Sequence, residues 1–210
     1  MENKNYDVAI VGAGIAGIMA AYELVTKSDL SVVLFEQGNS IYKRVCPIVD
    51  GKVNSCINCN ACSIMKGFSG AGNFSDGKYN LTTAFGGWLT DYISDKEVME
   101  LINYVDEINV KFGATTETYS TKTPEALAIE KRALEHDLHL LHATVKHLGT
   151  ENNLNILKGI YEFLKDKVEI KCNMGITDIA VKDEGYEVTT VNNETYSSKY
   201  LIAAPGRAGA

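Results

Sequence analysis

Three glycines and one acidic residue near the N-terminus have the spacing of a phosphate- and ribose-binding site. Gly12, Gly14 and Gly17 form G-x-G-x-x-G between an apolar, β-branched run and a helical pattern. In this motif the first glycine permits a tight turn, the second lets the backbone approach a pyrophosphate, and the third lets helix and strand pack closely. Glu36 ends the next apolar run about 20 residues later, where a carboxylate binds a ribose 2′-hydroxyl. These residues predict a dinucleotide site, and an acid at position 36 argues against a 2′-phosphate.

The neighbours of this motif extend the predicted site. Ile15 and Ala16 lie in the first helical turn, whose unpaired N–H groups and positive dipole end favour phosphates. Gln37 follows the acid directly and joins the candidate set. Arg44 lies just beyond, where a cation either meets a phosphate or ribose edge or belongs to a solvated turn, and position alone leaves both open.

Four cysteines form the densest cluster of reactive side chains. Cys56, Cys59 and Cys62 make two overlapping C-x-x-C units, and Cys46, followed by proline, lies upstream. Four thiolates can hold zinc or an iron–sulfur cluster. A C-x-x-C pair can instead act as a redox dithiol. A packed loop without metal is the third interpretation, and Cys172, in a predicted strand, is expected to be buried.

A glycine-rich segment, residues 67–78, follows the cysteines. It has too many glycines for a helix, and its backbone N–H groups can form an anion-binding nest. Phe68 and Phe74 are expected to anchor it, whereas a surface loop without a ligand is the alternative. The candidates are Gly70, Ala71 and Gly72 for cofactor binding, and Asp76 and Lys78 for catalysis.

The four histidines lie close together in the sequence without a defensible catalytic arrangement. They are His136, His139, His142 and His147. Residues 138–145 are predicted to be extended, which would let His139 face a substrate cavity. Ordinary surface or strand histidines are the alternative.

The periodicity of apolar residues predicts the elements that position these groups. Strands are expected over 6–11, 31–36, 168–172 and 200–204, and a three-stranded meander over 176–182, 186–191 and 194–197. Helices are expected over 15–27 and 95–112, from Pro124 to about His136, and from Thr150 onward.

Composition limits the classes of function. The chain has 210 residues and a net charge of −7, which argues against nucleic acid and anionic membranes as partners. No apolar stretch is long enough to span a bilayer, and the N-terminus runs into a strand without a signal peptide. A cytoplasmic location is expected, where the five cysteines are metal ligands, catalytic groups or buried thiols more readily than disulfides.

Several motifs together resemble one family. Y-D-V-A-I-V-G-A-G-I-A-G, K-R-x-C-P, C-x2-C-x2-C and G-A-G-N-F-S-D-G-K are similar to the uncharacterised FAD-dependent, or NAD(FAD)-utilising, dehydrogenases among the two-dinucleotide-binding flavoproteins. The resemblance implies FAD, with its pyrophosphate on the glycine motif and a ribose on Glu36. It also implies a flavin-side role for Arg44 and a strand end near FAD at Ala204 and Gly206. It implies a longer protein, of which this chain is the N-terminal half.

The sequence thus predicts an α/β fold with a Rossmann-type FAD/NAD(P)-binding sheet and a β-meander. Residues 1–45 and 150–210 are expected to form the sheet domain, and 46–149 an insertion with the cysteines, the glycine-rich segment and helices. The predicted function is FAD-dependent oxidoreduction, with a small-molecule substrate or an electron-transfer partner. The alternatives are an NAD-binding oxidoreductase domain and a non-catalytic nucleotide- or metal-binding fragment.

Overall fold

The computed structural model describes residues 4–209 and divides the chain into two compact units. The first comprises Met1–Phe74 and Leu157–Ala210, and the second Ser75–Ile156. The sequence had suggested boundaries after residues 45 and 149. The cysteines up to Cys62 and the glycine-rich segment up to Phe74 therefore belong to the first unit, with the parallel strands.

The described elements alternate between strands and helices along much of the chain. In order they are β1 (Asn5–Val11), α1 (Ile15–Lys27), β2 (Val32–Phe35), β3 (Lys78–Leu81), α2 (Asp95–Lys111), β4 (Tyr119–Ser120), α3 (Pro124–Leu134), β5 (Thr144–His147), α4 (Thr150–Leu164), β6 (Glu169–Lys171), β7 (Ile176–Lys182), β8 (Gly185–Thr190) and β9 (Thr195–Ala203). No helix among residues 4–209 is both long and apolar enough to cross a membrane.

The sheet of the first unit has six strands in the order β6-β2-β1-β9-β8-β7. β1 runs parallel to both β2 and β9, and its last residue, Val11, pairs with Phe35 on one side and Ala203 on the other. The chain therefore leaves these strands at one edge of the sheet. In open α/β sheets that carboxyl edge is where ligands bind.

The last strand differs from its prediction. Strands were expected over 194–197 and 200–204, but the structure has one continuous strand, Thr195–Ala203. Its first part pairs antiparallel with β8 while the strand also runs parallel to β1. Bonding on both sides keeps the polar Ser197-Ser198-Lys199 stretch extended, and Ser198 is buried.

Apolar side chains from both sheet faces form the core of the first unit. One cluster joins Tyr6, Val33, Phe35, Val188 and Tyr196, all buried. The rings of Phe35 and Tyr196 meet edge to face, with centroids 5.0 Å apart, a favourable aromatic geometry. The parallel and antiparallel parts of the sheet thus share one core.

The second unit contains a three-stranded antiparallel sheet in the order β3-β5-β4. Helix α2 begins with a capping box between Ser94 and Glu97. Helix α3 begins at Pro124, as the sequence predicts, and Thr123 is its N-cap. Strand β3 was not predicted, because its side chains Lys78-Tyr79-Asn80-Leu81 lack an apolar run.

Candidate functional site

The three motif glycines meet different surroundings at the carboxyl edge of the sheet. A Cβ on Gly12 would lie 2.3 Å from the Ala204 carbonyl oxygen, and φ there is +99°. A Cβ on Gly17 would lie 1.9 Å from the Gly12 carbonyl oxygen. A Cβ on Gly14 would meet nothing within 4 Å. Two of these glycines are therefore required by the fold, whereas Gly14 borders open space.

The N-terminus of α1 adjoins that open space. Gly14 is its N-cap and supplies no side-chain acceptor. Ile15 and Ala16 in the first turn are exposed. The first-turn N–H groups of an α-helix have no partner inside the helix, so this turn has the donors and dipole that suit an anion.

The side chain of Glu36 is buried, at 6 % exposure, and its carboxylate accepts hydrogen bonds from three backbone N–H groups of the surrounding loops. Its Oε1 accepts the N–H groups of Gly38 and Gly67, at 2.8 and 2.9 Å, and its Oε2 accepts that of Ala13, at 3.0 Å. A carboxylate offers about four acceptor positions. Three are filled here, so the predicted ribose contact is limited to the remaining position on Oε2.

The glycine-rich segment lies directly against the motif turn. Ser69 donates its N–H to the Ala13 carbonyl at 2.8 Å, and a Cβ on Gly70 would be 3.3 Å from Gly14 Cα. Gly70 opens a 3-10 turn, Gly70–Phe74, in which Ala71 and Gly72 are exposed. The structure thus brings Gly70 of the predicted set next to Gly14.

Other predicted cofactor residues surround the same edge. Ala204 donates its N–H to the Val11 carbonyl at 2.8 Å and its own carbonyl faces Gly12. Gln37 and Gly206 are exposed beside the ends of β2 and β9. These residues therefore lie at the same edge of the sheet as the motif turn.

Arg44 does not lie in a solvated turn, which was one of the two environments that its position in the sequence left open. It is 6 % exposed, and each guanidinium nitrogen donates to backbone carbonyls of residues 63–70. The hydrogen bonds do not support a direct contact with a cofactor, because its donors are already used within the protein.

Asp76 and Lys78 lie in the second unit and face solvent. Their side chains are 67 % and 57 % exposed and approach each other at 3.7 Å. An exposed ion pair of this kind leaves each group solvated, and nothing in its surroundings supports the predicted catalytic role.

The four predicted metal ligands are not assembled into a site. Cys56 and Cys59 are exposed and Cys46 and Cys62 are partly buried. Within residues 4–209 no group of three or more His, Cys, Asp or Glu side chains is placed to hold a metal ion. Sequence spacing does not fix side-chain direction in this irregular loop, and the metal interpretation is not supported.

Sequence reasoning missed Gly67, Ser69 and Asn73 as parts of this site. Gly67 donates to Glu36, and Ser69 has φ +74°, which is costly for a residue with a side chain. The Ser69 hydroxyl also lies 3.1 Å from the Asn73 side-chain oxygen. The available signal was the sequence G-F-S-G-A-G-N over 67–73, in which glycine recurs every two or three residues.

The histidines occupy surface positions or contact neighbouring strands and helices. His136 and His139 are exposed. His142 lies 3.1 Å from the Thr121 hydroxyl and 3.0 Å from the Glu130 carboxylate. The same hydroxyl accepts a hydrogen bond from the Ala143 N–H at 3.1 Å. These hydrogen bonds connect α3 to the residues that adjoin β4 and β5.

Comparison with known proteins agrees with the geometry of the first unit. Residues 7–43 match the family model described as FAD dependent oxidoreductase. No curated protein matches the sequence significantly.

Solved structures of other proteins share the fold, and two serve as examples. Glycine oxidase from Geobacillus kaustophilus is 16 % identical with a TM-score of 0.53, over 97 % of this chain and 56 % of that one. L-amino acid deaminase from Proteus vulgaris is 16 % identical with a TM-score of 0.55, over 98 % of this chain and 54 % of that one. The chain spans about half the length of these structures, and it has the Rossmann-like α/β fold of FAD-binding oxidoreductases.

Proposed function

We propose that the first unit binds FAD and that the chain acts in an FAD-dependent oxidoreductase on a small-molecule substrate. The observation that supports this most directly is the contrast among the motif glycines. Gly12 and Gly17 are enclosed by backbone, whereas the Cβ direction of Gly14 is open. A pyrophosphate requires such an open backbone beside a helix N-terminus.

Different residues around this turn would bind different parts of FAD. The turn Gly12–Gly17 and the first-turn N–H groups of α1 would hold the pyrophosphate, and the free position on Glu36 Oε2 would accept a ribose hydroxyl. Gly70, Ala71 and Gly72 would line the side toward the isoalloxazine. FAD when bound supplies the hydride or electron transfer, and the protein binds and orients it.

The same turn would also accept NAD, because both dinucleotides present a pyrophosphate and an adenosine ribose. What favours FAD is the family match over residues 7–43, which contains the glycines and Glu36. The narrower resemblance to NAD(FAD)-utilising dehydrogenases remains part of this proposal.

Titration of the purified chain with FAD tests the proposal. The binding is followed by the quenching of flavin fluorescence, with NAD titrated in parallel by calorimetry. Gly14→Ala should fold normally and weaken FAD binding at least about tenfold, since a methyl group would occupy the space of the pyrophosphate. Gly87→Ala, which also meets nothing within 4 Å but lies in the second unit, is the matched control.

The outcomes separate the candidates. Equal FAD affinity in Gly14→Ala and wild type would show that the pyrophosphate does not lie on this turn. Uptake of NAD without FAD would move the assignment to a nicotinamide dinucleotide. If the chain binds neither FAD nor NAD, the interpretation as a non-catalytic domain is favoured.

A further inference from the structure

Arg44 is a buried cation whose hydrogen bonds converge on one short segment. Its Nε and Nη2 both donate to the Ser63 carbonyl, at 2.9 and 2.8 Å. Nη2 also donates to the Ile64 carbonyl at 2.9 Å. Nη1 donates to the carbonyls of Phe68, at 2.9 Å, and Gly70, at 2.5 Å. One side chain thus binds four carbonyls within residues 63–70.

The surroundings of Arg44 shift its pKa. Burial lowers its pKa to about 10, while the Glu36 carboxylate, the next largest influence, opposes that shift. The group remains protonated at neutral pH. A planar guanidinium with its fork of donors suits several carbonyls at once, which the compact ammonium of lysine does not.

The segment that Arg44 binds has positive φ at three residues. Gly67, Ser69 and Gly70 have φ of +119°, +74° and +59°. Glycine adopts such a φ readily, whereas for Ser69 the conformation is costly and persists only where the surroundings enforce it. Phe68 is fully buried, and the Phe74 ring lies 5.3 Å from the guanidinium carbon, a cation–π distance.

The same segment forms one wall of the proposed dinucleotide site. Gly67 donates to Glu36, Ser69 donates to Ala13, and Gly70 approaches Gly14. Arg44 binds the carbonyl groups of the segment, whereas Glu36 and Ala13 bind the N–H groups of Gly67 and Ser69.

We infer that Arg44 is a positioning residue of this site: it holds residues 67–70 against the Gly12–Gly14 turn, so that this wall is formed before the cofactor binds. The inference rests on the proposed function for the identity of the cofactor. It also replaces the expected direct contact of Arg44 with the flavin by a role exerted through the backbone of the segment.

Amide hydrogen exchange in the cofactor-free chain tests whether Arg44 holds residues 67–70 in place. The N–H groups of Phe68, Ser69 and Gly70 donate to the carbonyls of Asn39, Ala13 and Gly67, and they report whether the segment stays in place. Arg44→Lys keeps the positive charge but removes the planar guanidinium and its five donors. It should speed exchange at these three amides about tenfold or more and leave the Ala204 amide, bonded to Val11, unchanged.

Lys43→Arg is the matched control, because it makes the reverse exchange at the exposed neighbouring position. It should alter neither exchange nor FAD affinity. Phe74→Leu is a second variant, which removes the aromatic face and leaves every Arg44 hydrogen bond possible. It should produce a smaller acceleration at the same amides, and it decides the matter if Arg44→Lys does not fold.

FAD titration of the same variants completes the test. Faster exchange together with at least about tenfold weaker FAD binding in Arg44→Lys supports the inference. Unchanged exchange overturns it, as does faster exchange with wild-type FAD affinity. A wild-type chain that binds no FAD refutes the proposed function instead, while the exchange data still report whether Arg44 holds the segment.

Discussion

The Glu36 carboxylate accepts the N–H of Gly67, 31 residues further along the chain, at 2.9 Å. Through its other bonds, to Ala13 and Gly38, this carboxylate joins the motif turn, the end of β2 and the glycine-rich segment. Burial of an acidic side chain is favourable only when its oxygens are well bonded. Glu36 is therefore a structural residue as well as a candidate ribose ligand.

Glu36→Gln should lower the free energy of unfolding by about 1–3 kcal/mol, because an amide NH₂ replaces one acceptor and at least one buried N–H loses its partner. Urea denaturation followed by circular dichroism measures this change. Glu184→Gln, at an exposed turn position, should change stability by less than about 0.5 kcal/mol. Equal stability of both variants would show that the three N–H groups do not depend on the charged oxygen.

Gly17→Ala should destabilise the first unit far more than Gly14→Ala. The new methyl group at position 17 would overlap the Gly12 carbonyl, whereas at position 14 it meets open space. Overpacking typically costs about 1–3 kcal/mol of folding free energy. In a chain of this size each kcal/mol lowers the melting temperature by roughly 2–4 °C. Thermal unfolding of both cofactor-free variants gives the comparison, and similar melting temperatures would contradict the close packing at Gly17.

The sequence predicted the parts of this site that depend on backbone sterics. Glycine motifs, buried parallel strands and helix starts follow local rules, and β1, α1, β2 and the start of α3 lie close to where they were expected. The continuous strand β9 was missed because hydrogen bonding on both sides, rather than local apolarity, extends it through Ser198.

The directions in which the Arg44 and cysteine side chains point could not be predicted from the sequence. The family resemblance implied a flavin-side role for Arg44, yet its guanidinium donates to carbonyls of residues 63–70. The cysteine spacing suggested ligands, but in a loop without regular structure spacing does not orient the thiols. Both cases depend on contacts between distant segments, which a single sequence does not specify.

In the second unit, the ion pair of Lys146 and Asp106 offers a test of buried charge. Their Nζ and Oδ2 atoms are 2.6 Å apart, with the side chains 3 % and 16 % exposed. Asp106→Ala leaves the ammonium buried and unpaired and should cost about 3–5 kcal/mol in free energy of unfolding. Glu100→Ala removes the exposed pair with Lys96 and should cost less than about 0.5 kcal/mol.

A double replacement separates the pair from its individual charges. Asp106→Leu with Lys146→Met removes both charges and should recover most of the stability lost in Asp106→Ala, because apolar residues of similar volume replace a buried ion pair at little cost. Urea denaturation of the three variants gives the comparison. A double variant as unstable as the single one would show that the pair itself, and not the stranded ammonium, determines the loss.

Cys172 should react slowly with alkylating reagents although other thiols of the chain react readily. Burial, and secondarily the Glu36 carboxylate, raise its pKa to about 12. Since the thiolate is the nucleophile, almost none is present at Cys172 at pH 8. Iodoacetamide labelling of the native chain at pH 8, followed by peptide mass spectrometry, should modify Cys56 and Cys59 first, as both are exposed.

The same raised pKa affects stability at high pH. An unfolded cysteine loses its proton near pH 8.5, whereas folded Cys172 keeps it up to about pH 12. The unfolded state is therefore favoured increasingly as the pH rises between these values. Cys172→Ala should flatten the fall in melting temperature above about pH 8.5, and Glu36→Gln should make Cys172 label faster. Labelling of Cys172 at the rate of Cys56 would contradict its partial burial near Glu36.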